Sequence, residues 1–178
     1  WCPFMFSSSS AVARSAICAA IASINEVHVI FWGEHNNIDI TPFQKLVRKT
    51  LSFLSGELKS ESNLQRFYVE FQDWRETLEE DDSLAWRITE LCFASLSSAV
   101  DCLFDPECDD LSLIENTLFG LYEEMDELGA DSEPLKEYWS ALKDEWQEQL
   151  NGKTQRPLPQ LFFRTLNEND ASLFGLER

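Results

Sequence analysis

Histidine is scarce in this chain: only His28 and His35 occur among 178 residues, and neither has a glutamate three positions before it. The Glu-x-x-His spacing places two metal ligands on one helix face, so its absence argues against a ferritin-like di-iron or di-manganese centre. Glycine and proline number six each, and the one low-complexity tract is Ser7 to Ser10. No glycine-rich loop is therefore available to cradle phosphate, and the composition is not that of a disordered chain. Five cysteines, Cys2, Cys18, Cys92, Cys102 and Cys108, form no CxxC pair, and an odd number at this length does not suggest a disulfide framework. Cys18, Cys92 and Cys102 stand among apolar neighbours and read as buried reduced thiols, while the carboxylates flanking Cys108 raise its pKa and make it a poor nucleophile. A GxSxG elbow is missing, which removes the commonest signature of a serine hydrolase. Asp105 to Asp110 lacks both the glycine and the closing glutamate of a calcium loop.

Long apolar runs are missing too. Ala11 to Ile24 is broken by Arg14 and falls short of the ~20 residues that span a bilayer, and no basic region precedes it as in a signal peptide. A membrane is not expected as a partner, and the location expected is cytoplasmic.

Basic residues are nearly absent from the middle of the chain. Between Glu70 and Glu148 there are 24 acidic side chains against four basic ones, Arg75, Arg87, Lys136 and Lys143, whereas the remainder has eight acids and ten bases. The middle thus carries −20 of a total of −18, and everything else +2. Such a body repels phosphate backbones and anionic lipid and favours basic proteins or cations.

Apolar content of 44% in 178 residues suffices for one good core. The periodicity is helical throughout, with no alternation long enough for a strand. The spacing predicts an all-α single domain, 1–178, an antiparallel bundle of about six to seven helices with loose tails at 1–8 and 167–178. A small-residue helix from Ala11 to about Ile30, its start capped by the Ser7 to Ser10 hydroxyls, is expected at the centre. Thr41 as N-cap with Pro42 after it starts a second helix that ends near Lys59. Leu64, Phe67, Phe71, Trp74 and Leu78 mark a third along one seam. Glu79-Glu80-Asp81-Asp82 opposes the dipole of that helix's end but suits the start of the next, Leu84 to Phe104, whose wide apolar arc predicts burial on most sides. Leu111, Ile114, Leu118, Leu121, Met125 and Leu128 form another seam, stopped by Gly129. Leu135 to Leu150 gives one more helix, and Pro157 to Leu166 a short last one. Connections of a few residues should lay sequence neighbours side by side.

Catalysis finds no foothold in these patterns, and no enzyme, cofactor or metal is expected. Glu26 is the acid outside the charged block placed for burial, paired with Arg14 or with a base of the second helix. Trp74, Trp86, Trp139 and Trp146 read as core, unless Trp86 or Tyr138 faces outward as an anchor for a partner. The acidic faces have two readings, a solvated surface or a docking face. Concentrating like charge destabilises a fold by self-repulsion, and a docking role would account for its being tolerated.

An aromatic pair after the first helix (Phe31, Trp32), then Phe43-Gln44-Lys45-Leu46-Val47 leading to Leu51 and Leu54, the Asn63 to Trp74 helix, small residues around Ala94 to Ala99 and the closing Asn169-Asp170-Ala171-Ser172-Leu173-Phe174-Gly175 together resemble the YjaG-like family of small, all-helical bacterial proteins. Leu173 stands where that family has asparagine, and the long middle helix lacks the proline and aspartate the family tends to show. The resemblance implies helical architecture and supplies no active-site residue, since the family's function is itself uncharacterised.

The reading favoured by charge is an acidic interaction module, in the form of an immunity or inhibitor protein that neutralises a basic toxin. The partner-binding residues expected are Glu79, Glu80, Asp81, Asp82, Trp86, Glu123, Glu124, Asp126 and Glu127. The alternative is a YjaG-like cytosolic protein acting as a nucleic-acid mimic or binding a small ligand near Glu26, His28 or a cysteine.

Overall fold

The structure, a computed structural model, describes residues 9–178. Among these the chain is all-helical, with eight α-helices: α1 (Ala11–Ile24), α2 (Glu26–Asn36), α3 (Thr41–Ser55), α4 (Glu61–Glu76), α5 (Leu84–Phe104), α6 (Leu111–Glu127), α7 (Glu133–Leu150) and α8 (Gln160–Glu168). The expected looseness of 1–8 and the caps at Ser7 and Ser8 lie outside the described residues. Eight helices replace the six to seven expected, mainly because the first predicted helix is two.

Asn25 makes that division. Its Nδ2 donates to Ile21 O at 2.9 Å and its Oδ1 accepts from Leu173 N at 2.9 Å. A short polar side chain bonded to its own backbone competes with helix continuation, and α1 and α2 are bent by 47° there. Before the break, Ser10 caps α1 by accepting from Ala13 N at 3.1 Å, and every residue from Val12 to Ile24 is buried. No single helix among the described residues is long and apolar enough to cross a membrane.

Central placement of α1 follows from its small side chains. Its most extensive contact is with α5, far away in sequence, rather than with a neighbour. Ala16, Ala19 and Ala20 of α1 are fully buried, as are Ser95 and Ala99 of α5, and Ser15 Oγ donates to Ala99 O at 2.6 Å across the contact. Small residues let two backbones approach, and the crossing hydrogen bond satisfies a hydroxyl that burial would otherwise leave unpaired. The expectation that sequence neighbours pack side by side holds for α3 with α4, α5 with α6 and α7 with α8, and misses this main axis.

Two cores flank it. One joins α1 to α6, α7 and α8 through Ile17, Ile21, Leu118, Tyr122, Trp139, Trp146 and Phe162; the other is aromatic and joins α2 to α5 through Trp32, Phe43, Phe71, Trp86 and Phe93. Trp139 and Trp146 thus lie in the core as their spacing predicted, and Trp74 packs half-buried on the second cluster.

Several boundaries differ from the sequence reading: α8 runs Gln160–Glu168 where Pro157 to Leu166 was expected, and both ends of α3 shift. Thr41 is the first residue of α3 and not its cap: Asp39 Oδ1 accepts from Thr41 N at 3.0 Å and from its hydroxyl at 2.6 Å. The helix stops at Ser55 because Gly56 takes the left-handed conformation, φ 88°, which glycine adopts without a Cβ penalty.

Part of the tail is not loose, since Ser172, Leu173 and Phe174 within 167–178 are buried while most of their neighbours there are exposed. Leu173 and Phe174 are buried, and the backbone around them is held by Asn25, by Tyr122 OH donating to Leu173 O at 2.6 Å, and by Tyr138 OH donating to Ala171 O at 2.8 Å. An apolar pair inside a polar tail gives the segment something to bury, and three side chains distant in sequence satisfy its peptide groups.

Candidate acidic docking face

α5 begins where the first acidic run ends. Ser83 caps it by accepting from Trp86 N at 3.0 Å, and the run Glu79 to Asp82 lies just before this helix start, where negative charge complements the dipole. One turn into α5, Arg87 points toward α6. Its Nη2 donates to Asp82 O at 3.3 Å and makes an ion pair with Glu124. The two acidic segments, far apart in sequence, are therefore brought to one end of the molecule by a single guanidinium. The pair is partly exposed, so it contributes at most about 1 kcal/mol and acts mainly on position.

The nine expected binding residues divide. Glu79, Glu80, Asp82, Glu123 and Glu127 are exposed, and none forms an ion pair among the described residues. Asp81 and Asp126 are exposed as well, but their carboxylates are used locally. Asp81 accepts from Ser83 N at 2.6 Å, and Asp126 accepts from Ser132 N and Ser132 Oγ, both at 2.8 Å. The serine side chains, followed by the backbone N–H groups, hold both carboxyls below the usual carboxylate range. Glu124 belongs to Arg87.

Trp86 does not face outward. It is only 4% exposed and packs on Trp32 at 5.4 Å and Phe93 at 6.1 Å, so it cannot serve as an outward anchor. The stripe Trp86, Thr89, Phe93, Leu96, Val100, spaced three, four, three, four, is buried throughout and was the signal for its inward phase. Tyr138, spent on Ala171, is no free anchor either.

Apolar exposure lies elsewhere on the same end. Phe31 is 53% and Leu176 38% exposed, and both line a cleft of about 560 Å³ with His28, Trp32, Leu84, Ala85 and Ile88. Asp81 and Ser83 form part of its wall, so the cleft opens directly beside the acidic loop. Leu128, 72% exposed, follows Glu127 at the end of α6. A second cleft, of about 720 Å³, runs between α5 and α6, floored by Leu91, Ala94, Ile114 and Leu121 and edged by Arg75, Arg87, Glu90, Asp110 and Glu124.

The groups considered for chemistry resolve into structure. His28 Nε2 lies 2.7 Å from Ser172 Oγ. This resembles half of a catalytic dyad, but Ser172 is fully buried and its oxygen already accepts from Phe174 N and Leu176 N, each at 3.1 Å. Both lone pairs are taken, so the hydroxyl proton goes to Nε2, and the imidazole must be neutral. Burial agrees, holding the His28 pKa down at about 4. Glu26 is half-buried, and burial raises its pKa; Arg48 of α3 and Arg178 are the bases that oppose the shift, and Gln44 hydrogen-bonds it. Arg48 lies on the helix the sequence reading named, but neither it nor Arg14 forms an ion pair with Glu26 among the described residues, so the expected pairing is not found. Arg14 goes elsewhere, donating to Cys108 O at 3.1 Å and Pro106 O at 2.9 Å and lying 3.9 Å from Asp109.

Cys18, Cys92 and Cys102 are buried free thiols, as their apolar neighbours implied. The Cys108 thiol is pushed up first by burial and then by Asp110, rather than by its immediate neighbours Glu107 and Asp109. Among the described residues no three His, Cys, Asp or Glu side chains converge to hold a metal ion.

No family model, curated protein or solved structure matches the chain.

Proposed function

We propose that the protein is an acidic helical interaction module that docks onto a basic protein partner, and that it serves as an immunity or inhibitor protein covering a cationic toxin. The observation that carries this reading is the junction of an exposed apolar cleft, holding Phe31 and Leu176, with two acidic segments tied together by Arg87. Binding energy concentrates in apolar anchors, while surrounding charges exclude water and steer the approach. A flat acidic surface would supply only the second of these. In this reading the helices form an antiparallel bundle, the location is cytoplasmic, and the chain is kin to the YjaG-like family.

The test takes a partner captured from the host with the intact chain as bait and measures association as ionic strength rises. The on-rate should fall steeply with salt. The variant E79Q/E80Q/D82N/E123Q/E127Q should slow association at low salt about tenfold or more, because steering charges act on encounter. F31A should leave the on-rate alone and speed dissociation by about 10–30-fold, as expected for an anchor worth about 2 kcal/mol. An on-rate indifferent to salt and to the five substitutions would sink the proposal and favour the small-ligand alternative.

A further inference from the structure

Two thiols that the docking face does not use lie against each other at the far end of α5. Cys102 occupies the last turn of that helix, and Cys108 sits in the loop that leads to α6. The chain reverses between them through Asp105, whose N donates to Asp101 O at 2.8 Å and whose O accepts from Cys108 N at 3.0 Å. Arg14, reaching from α1, holds the loop in place by donating to the carbonyls of Pro106 and Cys108. The result is a Cys102 Sγ to Cys108 Sγ distance of 3.3 Å, with Cys102 Sγ also 3.4 Å from Cys108 O. A disulfide needs about 2.05 Å between sulfurs, so closure asks the two sulfurs to approach further within a loop already folded back on the helix. The two sulfurs differ in access: Cys102 is 2% exposed, Cys108 is half-buried, and Cys18 and Cys92 are sealed in the core.

We propose that Cys102 and Cys108 are a reversible modification site, forming an intramolecular disulfide by exchange with a small-molecule disulfide such as oxidised glutathione. Cys108, the accessible sulfur, loses its proton and attacks one glutathione sulfur; the glutathione S–S bond breaks and one glutathione thiolate leaves and takes up that proton. Cys102 then loses its proton and attacks the Cys108 sulfur of the mixed disulfide, releasing the second glutathione as a thiol. The two protein thiols are oxidised, one glutathione disulfide is reduced to two glutathione thiols, and both protons end on glutathione. Thiolate is the attacking species, and burial together with Asp110 disfavours it at Cys108, so exchange quickens with rising pH. The bond clips the end of α5 to the acidic loop from Asp105 to Asp110, adding a covalent link to the hydrogen bonds from Arg14 and Ser98 that hold the loop when the thiols are reduced.

The test incubates the full folded chain with oxidised glutathione, traps free thiols by alkylation, and cleaves at acidic residues, since Asp105 and Glu107 lie between the two cysteines. The expected product is a single crosslink joining Cys102 to Cys108 with loss of two hydrogens, at a rate that rises about tenfold per pH unit below the thiol pKa. C102S should trap glutathione on Cys108, and C108S should leave Cys102 reduced. A stable glutathione adduct on Cys108 in the unaltered protein would overturn the assignment. So would crosslinks to Cys2 or Cys18, or both thiols remaining free.

Discussion

Replacing Phe93 with alanine will cost the fold about 3–5 kcal/mol, the range for truncating a buried aromatic whose site cannot collapse. Phe93 is fully buried and is the common member of the aromatic core. Its ring lies 5.4 Å from Trp74, 5.6 Å from Phe43, 5.7 Å from Phe71, 6.0 Å from Trp32 and 6.1 Å from Trp86, and the Arg75 guanidinium stands over it at 5.8 Å. These partners come from α2, α3, α4 and α5 itself, so one truncation loosens every helix of that cluster. Edge-on aromatic pairs add about 0.5–1.5 kcal/mol each beyond the area they bury, but they share one ring and do not sum. Against a total stability of about 5–15 kcal/mol the loss is large. Urea unfolding followed by tryptophan fluorescence reads it directly, with F93L expected to lose less than half as much. A loss under about 1 kcal/mol for F93A would mean that the cluster is not packed as described.

The second large effect is acid sensitivity written into the closing segment. Burial lowers the His28 pKa from 6.5 to about 4. The unfolded chain therefore takes up a proton on falling through pH 6.5 that the folded chain refuses until about pH 4. Between those values the unfolded state binds more protons, so folding stability falls as pH falls and rises as pH rises. The full window is worth about 3 kcal/mol at most. Glu26 works in the opposite sense, because its raised folded pKa favours the folded state at low pH and the benefit is lost as pH rises through that value. Comparing the unaltered protein with H28Q cancels Glu26. Glutamine keeps an acceptor for Ser172 and does not titrate, so the stability difference between the two proteins should shift by about 3 kcal/mol in favour of H28Q from pH 7 to pH 4. Urea midpoints across that range provide the measurement, and the imidazole titration followed by NMR provides a second. A difference independent of pH would show that His28 is not clamped by Ser172 and the tail.

How far the sequence carried the fold depends on how local each determinant is. α5, α6 and α7 were legible nearly to the residue because their ends are marked nearby, by the acidic run Glu79 to Asp82 before α5, Gly129 after α6 and Asn151-Gly152 after α7. The break at Asn25 was not, since its carboxamide is fixed by Leu173 from the other end of the chain. The packed part of the tail was hidden for the same reason. Of the candidate face, the charge was plain in composition, but its use was not: Asp81 and Asp126 look no different in sequence from Glu80 and Glu127 until Ser83 and Ser132 are seen to donate to them. Trp86 was open to two phases because α5 buries more than one stripe. Phe31, its exposed counterpart in the apolar cleft, was visible only as half of an aromatic pair, with Trp32 turned inward.

The claim that one end of the molecule is built for a basic partner is tested most directly by a footprint. The labelled chain is titrated at low salt with a synthetic amphipathic lysine–leucine helix, and amide shifts are followed residue by residue. The account predicts that the largest changes fall on Glu79 to Ala85, Glu123 to Leu128, Phe31 and Leu176, that they fade as the Debye length shrinks toward roughly 3 Å at 1 M salt, and that the five-carboxylate variant loses them. Changes spread equally over Asp105 to Asp110 and Glu133 to Glu148, or unmoved by salt, would contradict it.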